Sequence, residues 1–138
     1  MADKCIIKFS GEDMALSGKS VEEAREAWVR IAKLQNPEED VEGLKKSSIE
    51  QVGSKRENEK AVLLALLQPV IKDTKKVSEY NIITDLCAQI ETADDQIVIT
   101  KADWEKLREG FEKVTERPPW WVRCRELFKQ LESPEETD

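Results

Sequence analysis

The sequence predicts an α+β fold that is predominantly α-helical, with five to six helices and a small sheet. Over most of the chain, apolar residues recur at spacings of three and four, which is typical of helices that pack on a core. Two short segments instead show alternating or consecutive β-branched residues, which indicates strands. A length of 138 residues favours one domain over residues 1–138.

The chain begins with a predicted hairpin. Residues 4–10 have the pattern of a strand in which Cys5, Ile7 and Phe9 share one face. A turn follows, and residues 14–16 are expected to return as a short second strand. The β-branched strand near residues 97–99 would then join this N-terminal hairpin and bring the two ends of the chain together.

The first helix is expected over residues 21–35. Ser20 and Glu23 form a capping box at its start, and Asn36 followed by Pro37 ends it. One apolar stripe runs along it, made of Val21, Ala24, Trp28, Ile31 and Leu34. Residues 36–59 then carry many charges and few apolar anchors, so that one or two short helices or a flexible connector both remain open.

Two apolar helices are expected in the middle of the chain. Residues 57–72 form the most apolar segment, and Pro69 should kink or end that helix because proline has no amide hydrogen. Residues 78–92 carry a second apolar stripe at helical spacing. Both stripes belong in the core.

In the last third of the chain, the spacing of the apolar residues changes from that of a helix to that of a strand and back. Residues 96–99 predict a strand, after which Thr100 caps a helix that is broken by Arg117 and the proline pair Pro118 and Pro119. A final helix is expected over residues 120–131, with a frayed acidic tail at residues 133–138.

Composition excludes several classes of function. The chain has no histidine, and its three cysteines lie far apart, which removes the usual acid–base, nucleophile-activating and metal-binding groups. We therefore expect no enzyme, no catalytic residue, no metal and no cofactor. The net charge of −7 disfavours non-specific binding of nucleic acid and of anionic membranes.

Two segments resemble known binding motifs but lack residues that those motifs require. An EF-hand beginning at Asp94 would need oxygen ligands at Gln96 and Val98 and a glycine at Ile99. A phosphate loop ending at Ser20 would need a glycine where Asp13 stands, and that carboxylate would repel phosphate. Acidic residues on the helices lie beside Lys and Arg and are typical of solvated surface.

The most unusual segment places two adjacent tryptophans and three arginines at residues 117–125. Trp121 should join the apolar face of the last helix with Cys124, while Trp120 should lie partly outside. Exposed tryptophan beside arginine is typical of a binding hot spot, although a purely structural corner also fits. The predicted partner-binding residues are Arg117, Trp120, Trp121, Arg123 and Arg125.

The first residues lack the basic segment and apolar core of a secretory signal. The longest apolar run, residues 61–67, is too short to cross a bilayer. We therefore expect a soluble, cytoplasmic protein that makes no use of a membrane.

The C-terminal part resembles small accessory proteins encoded by tailed bacteriophages and prophages. The resemblance lies in Leu86 and Ile90, in the strand and capped helix of residues 97–107, and in the Pro-Pro-Trp-Trp segment of residues 118–127. It implies an accessory or assembly protein that binds other proteins, in the host cytoplasm or in the virion. It transfers no functional residue.

The favoured hypothesis is a non-enzymatic protein–protein interaction protein that docks on a host or virion partner through the aromatic and arginine corner. One alternative is an acidic decoy that occupies a nucleic-acid-binding protein by imitating phosphate charge. A lesser alternative is a nucleic-acid-binding module that uses the same arginines and tryptophans. Association of the chain with itself remains open.

Overall fold

A computed structural model describes residues 2–138 and confirms the α+β class with predominant helix. Within these residues the elements are β1 (Lys4–Lys8), α1 (Val21–Gln35), α2 (Val41–Gln51), α3 (Lys55–Asp73), α4 (Val77–Thr92), β2 (Gln96–Thr100), α5 (Lys101–Lys113), a 3-10 helix (Pro119–Cys124), α6 (Arg125–Glu132) and β3 (Glu135–Thr137). The chain divides into two compact units, one of which is Ser10–Asn58. The other contains the residues up to Phe9 and Glu59–Asp138.

The sheet has β1 at its centre and lies in the second of these units. Strand β1 pairs antiparallel with β2 on one side and with β3 on the other. In the register with β2, Cys5 lies opposite Ile99 and Ile7 opposite Ile97, and all four side chains are buried. The predicted shared face of β1 and its pairing with the strand near residues 97–99 are therefore confirmed.

The predicted N-terminal hairpin is wrong. Residues 14–16 form no strand, and Met14 makes only an isolated bridge with Ser20. Ala15 accepts a hydrogen bond from the amide of Gly18, which has a φ of +87°, so the chain turns tightly there into α1. Both edges of β1 are occupied by strands from later in the sequence, which leaves no edge for a hairpin partner.

The C-terminal residues close one edge of β1 and are not frayed, which corrects the prediction for the tail. Strand β3 pairs with Lys4 through Ile6. Beyond it, the side-chain amide of Gln130 takes the place of a strand: Lys8 donates its amide to Oε1 at 2.6 Å, and Nε2 donates to the Lys8 carbonyl at 2.9 Å. The edge polar groups of β1 are thus satisfied to its end.

In the unit Ser10–Asn58, the start and end of α1 are as predicted. The amide of Glu23 donates to Ser20 Oγ at 3.1 Å, and the helix ends at Gln35. The apolar stripe, however, is only partly covered, since Ile31 is 57% and Leu34 81% exposed. Helix α1 packs on α2, which is 11 residues long and too short to cover the whole stripe. Helix α2 itself occupies the middle of the segment for which short helices were one of two interpretations.

The unit that holds the sheet has its core around α3. This helix does not end at Pro69 but continues to Asp73. The core is formed by buried apolar side chains of α3, α4, β2, α5 and α6: Val62, Leu63, Leu66, Leu67, Val70, Ile83, Leu86, Ile90, Ile97, Ile99, Leu107, Leu127 and Leu131. No helix within residues 2–138 has both the length and the apolar character needed to span a membrane.

Helices α3 and α5 come into backbone contact at Gly110. A Cβ atom added to Gly110 would overlap the carbonyl group of Leu66, with the carbonyl carbon only 2.6 Å away. Glycine is otherwise costly in a helix, by about 1 kcal/mol relative to alanine. The helix therefore gives up intrinsic stability at this position to allow the two backbones to approach.

We expect Gly110→Ala to lower the free energy of unfolding by at least about 2 kcal/mol, because overpacking against a backbone outweighs the gain in helix propensity. Gly43→Ala is the matched control, since it lies in α2 with no atom within 4 Å of an added Cβ. That variant should be neutral or gain up to about 1 kcal/mol. Urea denaturation of both variants measures the difference, and equal effects would contradict the assigned contact.

Candidate functional site

The proline pair Pro118 and Pro119 determines the backbone conformation at the start of the 3-10 helix. Helix α5 ends at Lys113, and Pro118 and Pro119 start the 3-10 helix, in which the amide of Trp121 donates to the Pro118 carbonyl at 3.0 Å. The final helix was predicted as one α-helix from residue 120, and this is wrong, because α6 begins only at Arg125. Fixed proline φ angles favour this tight start.

The 3-10 winding sorts the side chains of this segment by a period of three, since positions three apart in such a helix eclipse each other. Trp121 and Cys124 point inward and are buried. Val122 and Arg125 share a second direction and line an open groove. Trp120 and Arg123 share the third direction and do not line it.

The floor of the groove is aromatic. The ring of Phe128 lies with its centroid 5.4 Å from that of Phe111 and 5.7 Å from that of Trp121, and both pairs are tilted. Such geometries are favourable for aromatic pairs and stabilise the cluster beyond its burial of apolar area. Trp121 is only 6% exposed, so it supports the floor from below.

The groove encloses about 660 Å³ between the end of α5, the 3-10 helix and α6. Pro118, Pro119 and Val122 form its apolar wall. Val122 is 72% exposed, although it is a branched apolar residue and stands beside an apolar floor. A volume of this size is within the range of ligand-binding clefts in proteins.

Charged side chains form the rim of the groove. The cations outnumber the carboxylates, in a chain whose net charge is −7. The rim consists of Arg108, Arg117, Arg125 and Lys129 on the positive side and of Glu112 and Glu132 on the negative side. The groove thus combines an apolar floor with a locally positive rim.

Arg117 contributes to the structure of this rim through two contacts with Phe111. Its guanidinium lies 3.8 Å from the centroid of the Phe111 ring and donates a hydrogen bond to the Phe111 carbonyl at 2.8 Å. These two contacts attach the extended residues after α5 to the end of that helix. Arg108 similarly stacks over Trp104, at 4.9 Å from the ring centroid, and its Nη1 lies 4.0 Å from Glu105 Oε1.

The remaining rim cations differ in their partners. Lys129 Nζ lies 3.3 Å from Oε1 of Glu126, which is one turn away on α6. Arg125 is exposed and makes no ion pair with the residues that the structure describes. Its charge therefore faces solvent beside the apolar floor.

Of the five partner-binding residues proposed from the sequence, three line the groove and two do not. Arg117, Trp121 and Arg125 line the groove. Trp120 is half-buried and packs edge-on against Trp121, with 6.3 Å between ring centroids, while Arg123 is exposed elsewhere. The burial of Trp121 and the partial exposure of Trp120 agree with the expectation from the sequence.

Phe111, Phe128 and Val122 are among the groove residues that sequence reasoning did not propose as binding residues. Phe111 and Phe128 follow the apolar stripes of their helices, a spacing that by itself indicates core residues. Val122 follows the two tryptophans and was given no role. A signal was present, because a branched apolar residue between Trp121 and Arg123 falls outside the stripe formed by Trp121, Cys124 and Phe128.

The cysteines do not add a nucleophile to the site. Burial raises the pKa of the Cys5 thiol, and the nearby Glu136 carboxylate raises it further. Burial likewise raises the pKa of Cys87, with Glu91 acting in the same direction. Both shifts favour the less reactive thiol form. Cys124 is completely buried despite its arginine neighbours.

No group of three or more His, Cys, Asp or Glu side chains within residues 2–138 is placed to hold a metal ion. Comparisons of the chain with protein-family models, with curated proteins and with solved structures yield no match.

We expect Trp121→Ala to lower the free energy of unfolding by about 3–5 kcal/mol, since it removes a large buried side chain. Trp120→Ala should cost about 1.5 kcal/mol or less, because that ring is half-exposed and loses mainly one edge-on aromatic contact. Chemical denaturation followed by far-UV circular dichroism compares the two variants. Equal losses of unfolding free energy would contradict the assignment of Trp121 to the buried face of the 3-10 helix and of Trp120 to a partly exposed face.

Proposed function

We propose that this chain is a non-enzymatic protein that binds a protein partner through the groove at the end of α5. The resemblance of its C-terminal part to small tailed-phage proteins supports an accessory or assembly role, with a host or virion protein as the partner. The observation that carries the proposal is the pairing of an exposed apolar side chain, Val122, with an aromatic floor and with Arg125, a cation that makes no ion pair within residues 2–138.

This combination suits a protein interface. Aromatic and arginine side chains are enriched in the energetic centres of such interfaces, where an apolar patch is surrounded by polar groups. A solvent-exposed valine is common by itself, but here it extends an apolar surface that already includes Phe111 and Phe128. Covering this surface would remove apolar area from water and favour association.

Nucleic acid fits this surface less well. Trp120, the ring expected to stack on a base, packs edge-on against Trp121 and lies apart from the groove. Two of the rim residues, Glu112 and Glu132, would repel a phosphate backbone. The acidic decoy remains the second hypothesis from composition, and the salt dependence of binding separates it from the groove.

We expect Val122→Asp to reduce capture of the partner from a native lysate by about tenfold or more, because it places a charge on the apolar wall. Val77→Asp is the matched control, since Val77 is 76% exposed on α4 and does not line the groove. Capture on the tagged chain, followed by quantitative mass spectrometry at low and high salt, measures the effect.

The control variant should retain the partner at the level of the unmodified chain. If both variants retain it equally, the groove is not the binding surface. A nucleic-acid-binding protein that both variants capture at low salt and lose at high salt would instead support the decoy.

A further inference from the structure

We infer that the groove takes an acidic amphipathic helix of the partner, an inference that rests on the proposed function of the same site. The helix would lay apolar side chains on the aromatic floor and place carboxylates against the cationic rim. The argument uses the charge pattern of the rim, the elements that line the groove and its size.

Charge complementarity sets the sign of the occupant. Four cations and two carboxylates line the groove, whereas the chain as a whole carries seven more negative than positive charges. Two of these cations already have carboxylate partners beside the groove, Arg108 with Glu105 and Lys129 with Glu126. Arg125 has no ion-pair partner within residues 2–138 and is therefore available to a carboxylate from outside. Such complementary pairing steers association and fixes the orientation of a partner.

The rim also selects against a uniform polyanion. Glu112 lies on α5 and Glu132 at the end of α6, so negative charge stands at two places among the cations. A helix can place a carboxylate near Arg125 and leave neutral residues near these two acids. A nucleic acid or an anionic membrane presents negative charge everywhere and cannot avoid them.

The elements of the groove favour a helical occupant. Every lining residue belongs to α5, the extended residues after it, the 3-10 helix or α6. None belongs to the sheet, so no strand edge offers backbone hydrogen bonds to an extended segment. A helix satisfies its own backbone and needs only an apolar face, which is the usual solution for grooves of this kind.

The size of the groove limits the contact to a few side chains. About 660 Å³ accommodates large apolar residues from adjacent turns of a helix. The expected recognition element is therefore a pair or triplet of aliphatic or aromatic residues spaced by three and four, with Asp or Glu on the flanks of that face.

The inference can be tested with a displayed library of random peptides of about 14 residues, roughly 21 Å long when helical. The full chain is the target, and the chain with Val122→Asp serves for counter-selection. We expect enriched peptides to have a net negative charge and apolar residues at helical spacing. Enrichment of basic, neutral or proline-rich peptides, or no enrichment that depends on Val122, would overturn the inference.

One enriched peptide, labelled with a fluorophore, is then titrated with charge-reversal variants by fluorescence polarisation. Arg125→Glu should weaken binding by about tenfold or more. Arg123→Glu carries the same charge change two residues away but outside the groove, and it should weaken binding by less than about threefold. Equal losses would show that only the overall field matters and would overturn the assigned contact.

The two proposals fail in different ways. If Val122→Asp abolishes capture of the natural partner while the library yields no acidic helical peptide, the groove remains a binding surface and only the occupant is wrong. If Val122→Asp leaves capture intact, the proposed function fails, and the inference fails with it.

Discussion

The close approach of α5 to α3 at Gly110 is the constraint on which the candidate site depends. Since Gly110 presents no side chain, α5 can rest directly on the backbone of α3 at Leu66. This contact buries Leu107 one turn earlier and fixes the direction of Phe111, the next residue. Phe111 then packs against Phe128, and these rings belong to the floor of the groove. The floor therefore depends on Gly110, which does not itself line the groove.

A second constraint is the change of helical pitch after the proline pair. Had the segment continued as an α-helix, neighbouring side chains would be separated by about 100° and the faces would drift. In the 3-10 helix, side chains three apart superimpose. Burial of Trp121 and Cys124 therefore leaves Val122 and Arg125 together on the groove side, so that an exposed apolar side chain and an exposed cation stand three residues apart.

Local signals predicted much of the fold. The Ser20 cap and the stop at Asn36 located α1 to the residue, and Thr100 caps α5 by accepting a hydrogen bond from the amide of Asp103. The hairpin prediction failed because the partner of a strand is a non-local choice, and β1 pairs with strands far along the chain. The pitch after Pro119 could not be read from apolar spacing, since a separation of three residues, as between Trp121 and Cys124, fits one turn of either a 3-10 helix or an α-helix. The groove was missed for that reason.

The position of β1 at the centre of the sheet has a consequence for biosynthesis. Its side chains Cys5 and Ile7 are buried in the folded protein, yet β1 precedes both of its neighbours in the chain, and β2 begins only at Gln96. At roughly 5–20 residues per second, the ribosome needs several seconds to deliver that neighbour. During this interval β1 has two unpaired edges on the nascent chain, and open strand edges of this kind are prone to aggregation.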